Sequence, residues 1–260
     1  MTVVGLLTDF GLDDPYVAEM KAALARLGPP DLRWLDVTHA IAPGDVAAAS
    51  WVLRRTWAQL PAGAVHLVVV DPGVGSARPA VAACAEDHWF VGPGNGLAGF
   101  LAAAEDLAVW RLTRFQPPPG RPASTTFHGR DLFAPAAAHL AGGGDPDVLG
   151  PRATPADLGA LDAPDRHDGL ARVVWIDRFG NLITDLARDG ADGRALASGM
   201  ALEVAGRAVR GPVASYAEAE PGELVWYWGS LETLEIAARD ASAAAALGAE
   251  TGLVIPRPTP

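Results

Sequence analysis

The stretch at residues 65–81, VHLVVVDPGVGSARPAV, decides the fold of this chain. Its opening run is β-branched and almost continuously apolar, which suits a strand buried on both faces in a parallel sheet covered by helices. Asp71-Pro72-Gly73 then breaks the run. Ligands of open α/β sheets collect outside the carboxyl ends of the strands, so the Asp71 carboxylate stands where a site is expected, although a plain turn cap also accounts for it. Gly73-Val74-Gly75-Ser76-Ala77-Arg78 begins like a dinucleotide fingerprint and fails as one, because Arg78 takes the place of the third glycine. What remains is a loop whose backbone can approach a ligand, with a fixed cation at its far side.

Upstream, a first strand over residues 3–7 ends in Thr8-Asp9-Phe10-Gly11, again an acid at a carboxyl end. Asp13, Asp14 and Pro15 open a helix through Leu27, with acids where the helix dipole favours them. A strand over 32–37 ends in Asp36-Val37-Thr38-His39, and Pro43-Gly44-Asp45 opens a helix to Gln59. The series β-α-β-α-β predicts a parallel sheet with helices on both faces. Downstream, residues 79–85 and 87–91 read as a hairpin pair. The Gly92-Pro93-Gly94-Asn95-Gly96 turn starts a helix near Leu97, with Asn95 open between turn residue and ligand contact. A proline-rich loop at 117–122 precedes Thr125-Thr126-Phe127-His128-Gly129-Arg130-Asp131 and a helical segment at 132–140. His128 is the most informative of the six histidines, because a neutral imidazole just ahead of a helix can point into a cleft.

Residues 142–169 shift to Gly, Pro and Asp and read as a linker, dividing the chain into domains 1–165 and 166–260. Beyond it, period-two segments at 170–177, 181–185, 201–204, 207–209, 224–227 and 234–237 predict a small β-barrel or sandwich. Asp177-Arg178-Phe179-Gly180-Asn181 joins two of these strands. A tight turn explains it, and so does a site in which Asp177 and Asn181 hold a zwitterion. Trp226, Tyr227 and Trp228 read as core or interface aromatics, and Gly229-Ser230 offers a hydroxyl at a strand end.

At 260 residues with half of them apolar, the chain can bury a full core and is not a disordered segment. A net charge of −11, with the acids scattered, argues against a nucleic-acid partner. Cys84 is alone, which excludes an internal disulfide, fits a reducing compartment and suggests a small core residue. No apolar run approaches the roughly 18 residues of a membrane helix, no targeting segment is visible, and a cytoplasmic protein is expected. The His and Asp residues lack the paired spacing of a zinc site, so no metal is expected.

Together these stretches resemble the S-adenosyl-L-methionine hydroxide adenosyltransferase family, hydrolases related to fluorinases and chlorinases. The resemblance is carried in order by Thr8-Asp9-Phe10-Gly11, Asp36-Val37-Thr38-His39, Asp71-Pro72-Gly73-Val74-Gly75 with Arg78, Phe127-His128-Gly129-Arg130-Asp131, Asp177-Arg178-Phe179-Gly180-Asn181, and Gly229-Ser230 with Leu234-Glu235-Ile236-Ala237. It implies an N-terminal α/β/α sandwich with a mainly parallel sheet, a smaller C-terminal β-barrel, and a homotrimer with sites between subunits. It implies hydrolysis of S-adenosyl-L-methionine to adenosine and L-methionine, that molecule being substrate and no cofactor being needed. The family's Asp-Arg-His set falls on Asp71, Arg78 and His128. Asp9 matches the acid that holds the ribose hydroxyls, and Phe127 a substrate-binding position. Asp177, Asn181 and Ser230 match positions for the methionine part, and the segment from Ala238 to Asp240 matches adenine contacts. Halide-using relatives carry a serine at the position of Gly129, lack the Asp-Arg-His set and have an extra N-terminal-domain loop, so water is favoured over halide. The position of Gly44 carries an aromatic in relatives. Two readings stay beside the hydrolase: a halogenase using the same substrate, and a non-catalytic binder of the substrate or adenosine.

Overall fold

A computed structural model describes residues 2–114, 124–161 and 169–257, which divide into two compact units at 163/164. The proline-rich stretch at 117–122 and the expected domain boundary at 165/166 lie outside the described residues.

The first unit opens with β1 (Val3–Thr8), α1 (Tyr16–Leu27), β2 (Arg33–Thr38), α2 (Val46–Thr56) and β3 (Val65–Val69), the expected alternation. Asp45 caps α2 by accepting the Ala48 N–H at 2.9 Å, leaving one fewer orphan donor in its first turn. Then come β4 (Ala80–Ala85), β5 (His88–Pro93), β6 (Ala108–Arg111), α3 (Ala134–Ala141) and β7 (Arg152–Ala153). A π-turn at Gly129–Phe133 leads into α3, closed by the Ala134 N–H donating to Gly129 O.

These seven strands form one sheet in the order β2-β1-β3-β5-β4-β6-β7. The ladders from β2 through β1 and β3 to β5 are parallel, and those from β5 through β4 and β6 to β7 are antiparallel. Parallel pairing therefore covers the half that carries Asp9 and Asp71. Every residue of β3 is buried, because alternate side chains enter cores on opposite faces. Val65, Leu67 and Val69 pack with Met20 and Leu24 of α1 and with Ala134, Ala137 and Ala138 of α3. On the other face His66 stacks on Trp57 at 4.6 Å and donates Nε2–H to Trp57 O at 3.1 Å.

Three expectations change here. The helix near Leu97 is only a 3₁₀ segment at Gly99–Ala103, since the glycines around Asn95 close a turn instead of starting a helix. The stretch from 142 onward is not a free linker. It carries β7 and 3₁₀ turns at Pro146–Val148 and Pro155–Leu158, and Asp157 ties the latter to β6 through Arg111 Nε at 2.6 Å. Cys84 is half-buried, not a core residue, because it lies toward the end of a strand that pairs with Ala108 near the sheet margin.

The second unit contains β8 (Gly169–Ile176), β9 (Leu182–Ala187), α4 (Ala191–Ala197), β10 (Leu202–Val204), β11 (Arg207–Val209), β12 (Leu224–Trp228), β13 (Thr233–Ala238), α5 (Ala243–Leu247) and β14 (Val254–Pro256). The five-strand sheet runs β12-β13-β9-β8-β14, antiparallel throughout, and β10-β11 form a separate hairpin. Leu170, Val173, Leu182, Trp226, Leu234, Ile236 and Ile255 make its core. Trp226 is fully inside, whereas Tyr227 and Trp228 are half-buried. The two short helices and β14 have no periodic signal long enough to read in the sequence.

Candidate active site

In the first unit a cavity of about 600 Å³ opens where β1 and β3 end, the position that the parallel half of the sheet predicts for a ligand. Asp9 and Phe10 reach it from the loop after β1, Asp71 and Pro72 from the loop after β3, and Thr126 to Gly129 from the entry to α3. Pro43 and Gly44, with Asp14, Tyr16, Val69 and Val74, complete the wall.

Asp71, Arg78 and His128 are brought into one array. Arg78 Nε donates to Asp71 Oδ1 at 2.7 Å, and its Nη2 donates to Asp71 Oδ2. The same Nη2 donates to His128 Nδ1 at 3.0 Å, and Nη1 donates to Pro79 O at 3.0 Å. The guanidinium also lies 5.4 Å from the centroid of Phe133, whose ring meets His128 edge-on at 6.2 Å. Such a fork held on several sides has one geometry. The loop that delivers Arg78 needs Gly75, whose φ of +79° is left-handed and whose missing Cβ would sit 3.1 Å from Thr125 O.

Burial pushes the His128 imidazole below its ordinary value, and the Arg78 cation pushes in the same direction. Asp71 and Asp131 oppose both without prevailing. Because Nδ1 accepts from Arg78, the neutral ring carries its hydrogen on Nε2. Asp9 accepts the Gly44 N–H on Oδ2 at 2.8 Å, so this glycine gives a backbone donor to the acid.

Phe127 belongs to an aromatic cluster that sequence reading did not find. Phe10, Tyr16 and Phe127 meet at centroid distances of 5.3 to 5.9 Å. Arg130 covers Phe127 at 4.9 Å while gripping Asp131 through two hydrogen bonds, of 2.6 and 2.7 Å, and Glu19 at 2.5 Å. The available signal was adjacency: Phe10 follows Asp9 and Phe127 precedes His128. Asn95 turns out to be structural, donating from Nδ2 to Val70 O at 3.0 Å and so fixing the strand end before Asp71.

The remaining candidates lie in the second unit. Both oxygens of Asp177 serve its own turn: Oδ1 accepts from the N–H of Phe179 and of Asn181 at 2.9 Å each, and Oδ2 accepts from Asn181 Nδ2 at 2.8 Å. That carboxylate therefore shapes the loop that carries Asn181, the turn role that the sequence allowed beside a zwitterion site. Ser230 is exposed in the β12-β13 turn, Ala238 ends β13, and Asp240 follows at a φ of +55°.

Family models meet this geometry along nearly the whole chain: residues 4–150 match the SAM hydroxide adenosyltransferase N-terminal domain, and 171–255 the C-terminal domain. The chain belongs to the SAM hydroxide adenosyltransferase family. Among relatives, the (R)-S-adenosyl-L-methionine hydrolase of Thermus thermophilus is 42% identical, with 98% of this chain and 99% of the relative covered. The hydrolase of the same description from Salinispora tropica is 41% identical over 96% and 95%. A fluorinase of Nocardia brasiliensis is more distant, 25% identical over 72% and 71%. A solved structure of an uncharacterized conserved protein from Thermotoga maritima superposes with a TM-score of 0.85 at 32% identity, covering 97% of this chain and 99% of that one. The Asp-Arg-His set is here a hydrogen-bonded unit in which Asp71 and His128 line the cavity and Arg78 joins them.

Proposed function

We propose that this chain hydrolyses S-adenosyl-L-methionine, in the (R) form that its relatives' names specify, to adenosine and L-methionine. The observation that carries the proposal is that Asp71 and His128, joined by Arg78, line the cavity that Asp9 shares. Near full-length similarity to two hydrolases supports it.

The chemistry asks little of an acid. Water oxygen bonds to ribose C5′, the C5′–S bond breaks, and its electron pair returns to sulfur as a neutral thioether. What the protein supplies is an oriented water and a place for its proton. His128, with Nδ1 engaged and Nε2 protonated, offers a donor that orients the water. Asp71 keeps lone pairs beyond its two bonds to Arg78 and takes the proton, while Arg78 stabilises the developing hydroxide. The sulfonium is already a leaving group, so no cofactor is called for. Asp9 is assigned to the ribose hydroxyls and Phe127 to the sugar or base face. Asn181 and Ser230, with Asp177 acting through its turn, are assigned to methionine, and Ala238 and Asp240 to adenine.

Crowding at Gly129 supports water over halide. A Cβ there would lie 3.1 Å from Met20 Sδ and 3.3 Å from Phe127 Cε2, so the serine of halide-using relatives would need both neighbours to give way.

The proposal extends to a C-terminal barrel, a homotrimer and a cytoplasmic site of action. Closure of the barrel is supported by the β10-β11 hairpin, which touches β14 on one side and β12 on the other, bridging Arg210 to Val225. Trimerisation follows the family resemblance, and the exposed Tyr16 and Val74 on the cavity wall suit a surface that a neighbour covers. No described helix is long and apolar enough to cross a membrane.

Incubation with S-adenosyl-L-methionine in water enriched in oxygen-18, with and without halide, tests the reaction. Adenosine labelled at O5′, unaffected by halide, is expected. A 5′-halo nucleoside, or bound but unconverted substrate, would refute it.

A further inference from the structure

Thr8 is wholly buried at the end of β1, one residue before Asp9. A buried hydroxyl is tolerated only when bonded, and this one has two partners. Its Oγ1 accepts the Phe10 N–H at 3.2 Å and lies 2.8 Å from His39 Nδ1. With the Asp36 carboxylate beside Nε2 favouring a hydrogen there, Nδ1 accepts from the Thr8 hydroxyl, whose oxygen also accepts from Phe10. Nε2 faces Asp36 Oδ1 at 3.2 Å, without the alignment of a full hydrogen bond. Asp36 Oδ2 in turn accepts from Lys21 Nζ at 2.7 Å. Burial alone would raise the Asp36 carboxyl, but the bond from Lys21 and the neighbouring His39 outweigh it and hold it below the usual range. An anion thus stands beside Nε2, where it favours the tautomer that leaves Nδ1 free to accept.

The main chain reinforces this link. His39 O accepts the Gly11 N–H at 2.8 Å, so residues 8–11 are fastened to His39 at both ends. The two residues between, Asp9 and Phe10, both line the cavity. The β1-β2 ladder slips by one residue after Leu6, pairing Leu6 with Asp36 but Leu7 with Thr38. A slip of this kind re-aims the side chains beyond it.

From this geometry we infer that Thr8 and His39 are positioning residues, which hold the Asp9 carboxylate where it meets the ribose diol. The inference rests on the assignment of Asp9 to ribose made above. It explains why the Asp36-Val37-Thr38-His39 motif, which lines no part of the cavity, accompanies the site.

Adenosine binding by titration calorimetry tests it on the full chain. Thr8→Val, which keeps shape and loses the hydroxyl, should weaken adenosine about tenfold, and Thr8→Ser should restore it to within about twofold. Combined with Asp9→Asn, Thr8→Val should add less than about a twofold loss. His39→Gln is the second variant should Thr8→Val fail to fold, with the same dependence on Asp9 expected. Unchanged affinity in a folded Thr8→Val protein, or an equal loss in the Asp9→Asn background, would overturn the inference while leaving the ribose assignment intact. Normal adenosine affinity in Asp9→Asn alone would overturn the ribose assignment and the inference with it.

Discussion

Replacing Arg78 by Met tests the array most directly, because one substitution removes every bond that joins its members. The Asp71 and Arg78 side chains are 5% and 10% exposed, so the change leaves a carboxylate without its cation in a mostly enclosed place. Breaking a buried pair in this way costs about 3–5 kcal/mol, and the adjoining cavity can hydrate the freed oxygens, which places the loss near about 3 kcal/mol. For a unit of this size that lowers the melting temperature by about 6–12 °C. Losing the cation that orders Asp71 and His128 and offsets developing negative charge is expected to cost about 10²–10³ in kcat, while KM stays within about threefold because ribose and methionine contacts lie elsewhere. Scanning calorimetry and steady-state kinetics read the two effects. The double variant with Asp71→Asn should melt above Arg78→Met alone, since the stranded charge is gone. Melting of Arg78→Met within a degree or two of the parent, or a kcat within threefold, would refute the argument.

Two further outcomes concern protons. His128 must be neutral, because an imidazolium would turn an Nδ1–H onto the N–H of Arg78. The acid limb of kcat/KM therefore lies below the ordinary histidine range, and in Arg78→Met it moves to higher pH as the cation's push is lost; an unmoved limb would sever the link. His66 is a stability probe, its imidazole lowered to about 4, first by burial and further by His88, against an opposing hydrogen bond to Trp57. The unfolded chain binds this proton below about 6.5 and the folded one only near 4, so stability is intact above 6.5 and falls by about 3 kcal/mol on acidification to 4. Urea midpoints across that window should show the fall and a His66→Gln variant a flatter one; parallel curves would contradict the assignment.

Much of the first unit was legible because its signals are local. The β-branched run before Asp71 announced a doubly covered strand, and acids at strand ends marked the cavity. Asp71, Arg78 and His128 are 50 or more residues apart at their extremes, and only the ordered resemblance joined them. The aromatic cluster was not legible, since Phe10, Tyr16 and Phe127 have no common periodicity and meet only through the fold. The turn bonds of Asp177 were not legible beyond the general turn signal, because a carboxylate bonded within its own loop and one facing a ligand look the same in sequence. The helix near Leu97 failed because the glycines flanking Asn95 close a turn, in which Asn95 donates to Val70 O and accepts the Leu97 N–H.

The π-turn at Gly129–Phe133 has a consequence for how this site can vary. Such a turn holds one residue more than the α-turn it replaces, and in a helix one residue is about 100° of rotation and 1.5 Å of rise. Deleting a single residue there would leave α3 seated on its core and swing His128 and Phe127 round the helix axis, taking the imidazole off Arg78. The proposed catalytic histidine thus depends on a count as much as on a residue type: point changes around it can be absorbed by packing, whereas a change of length cannot.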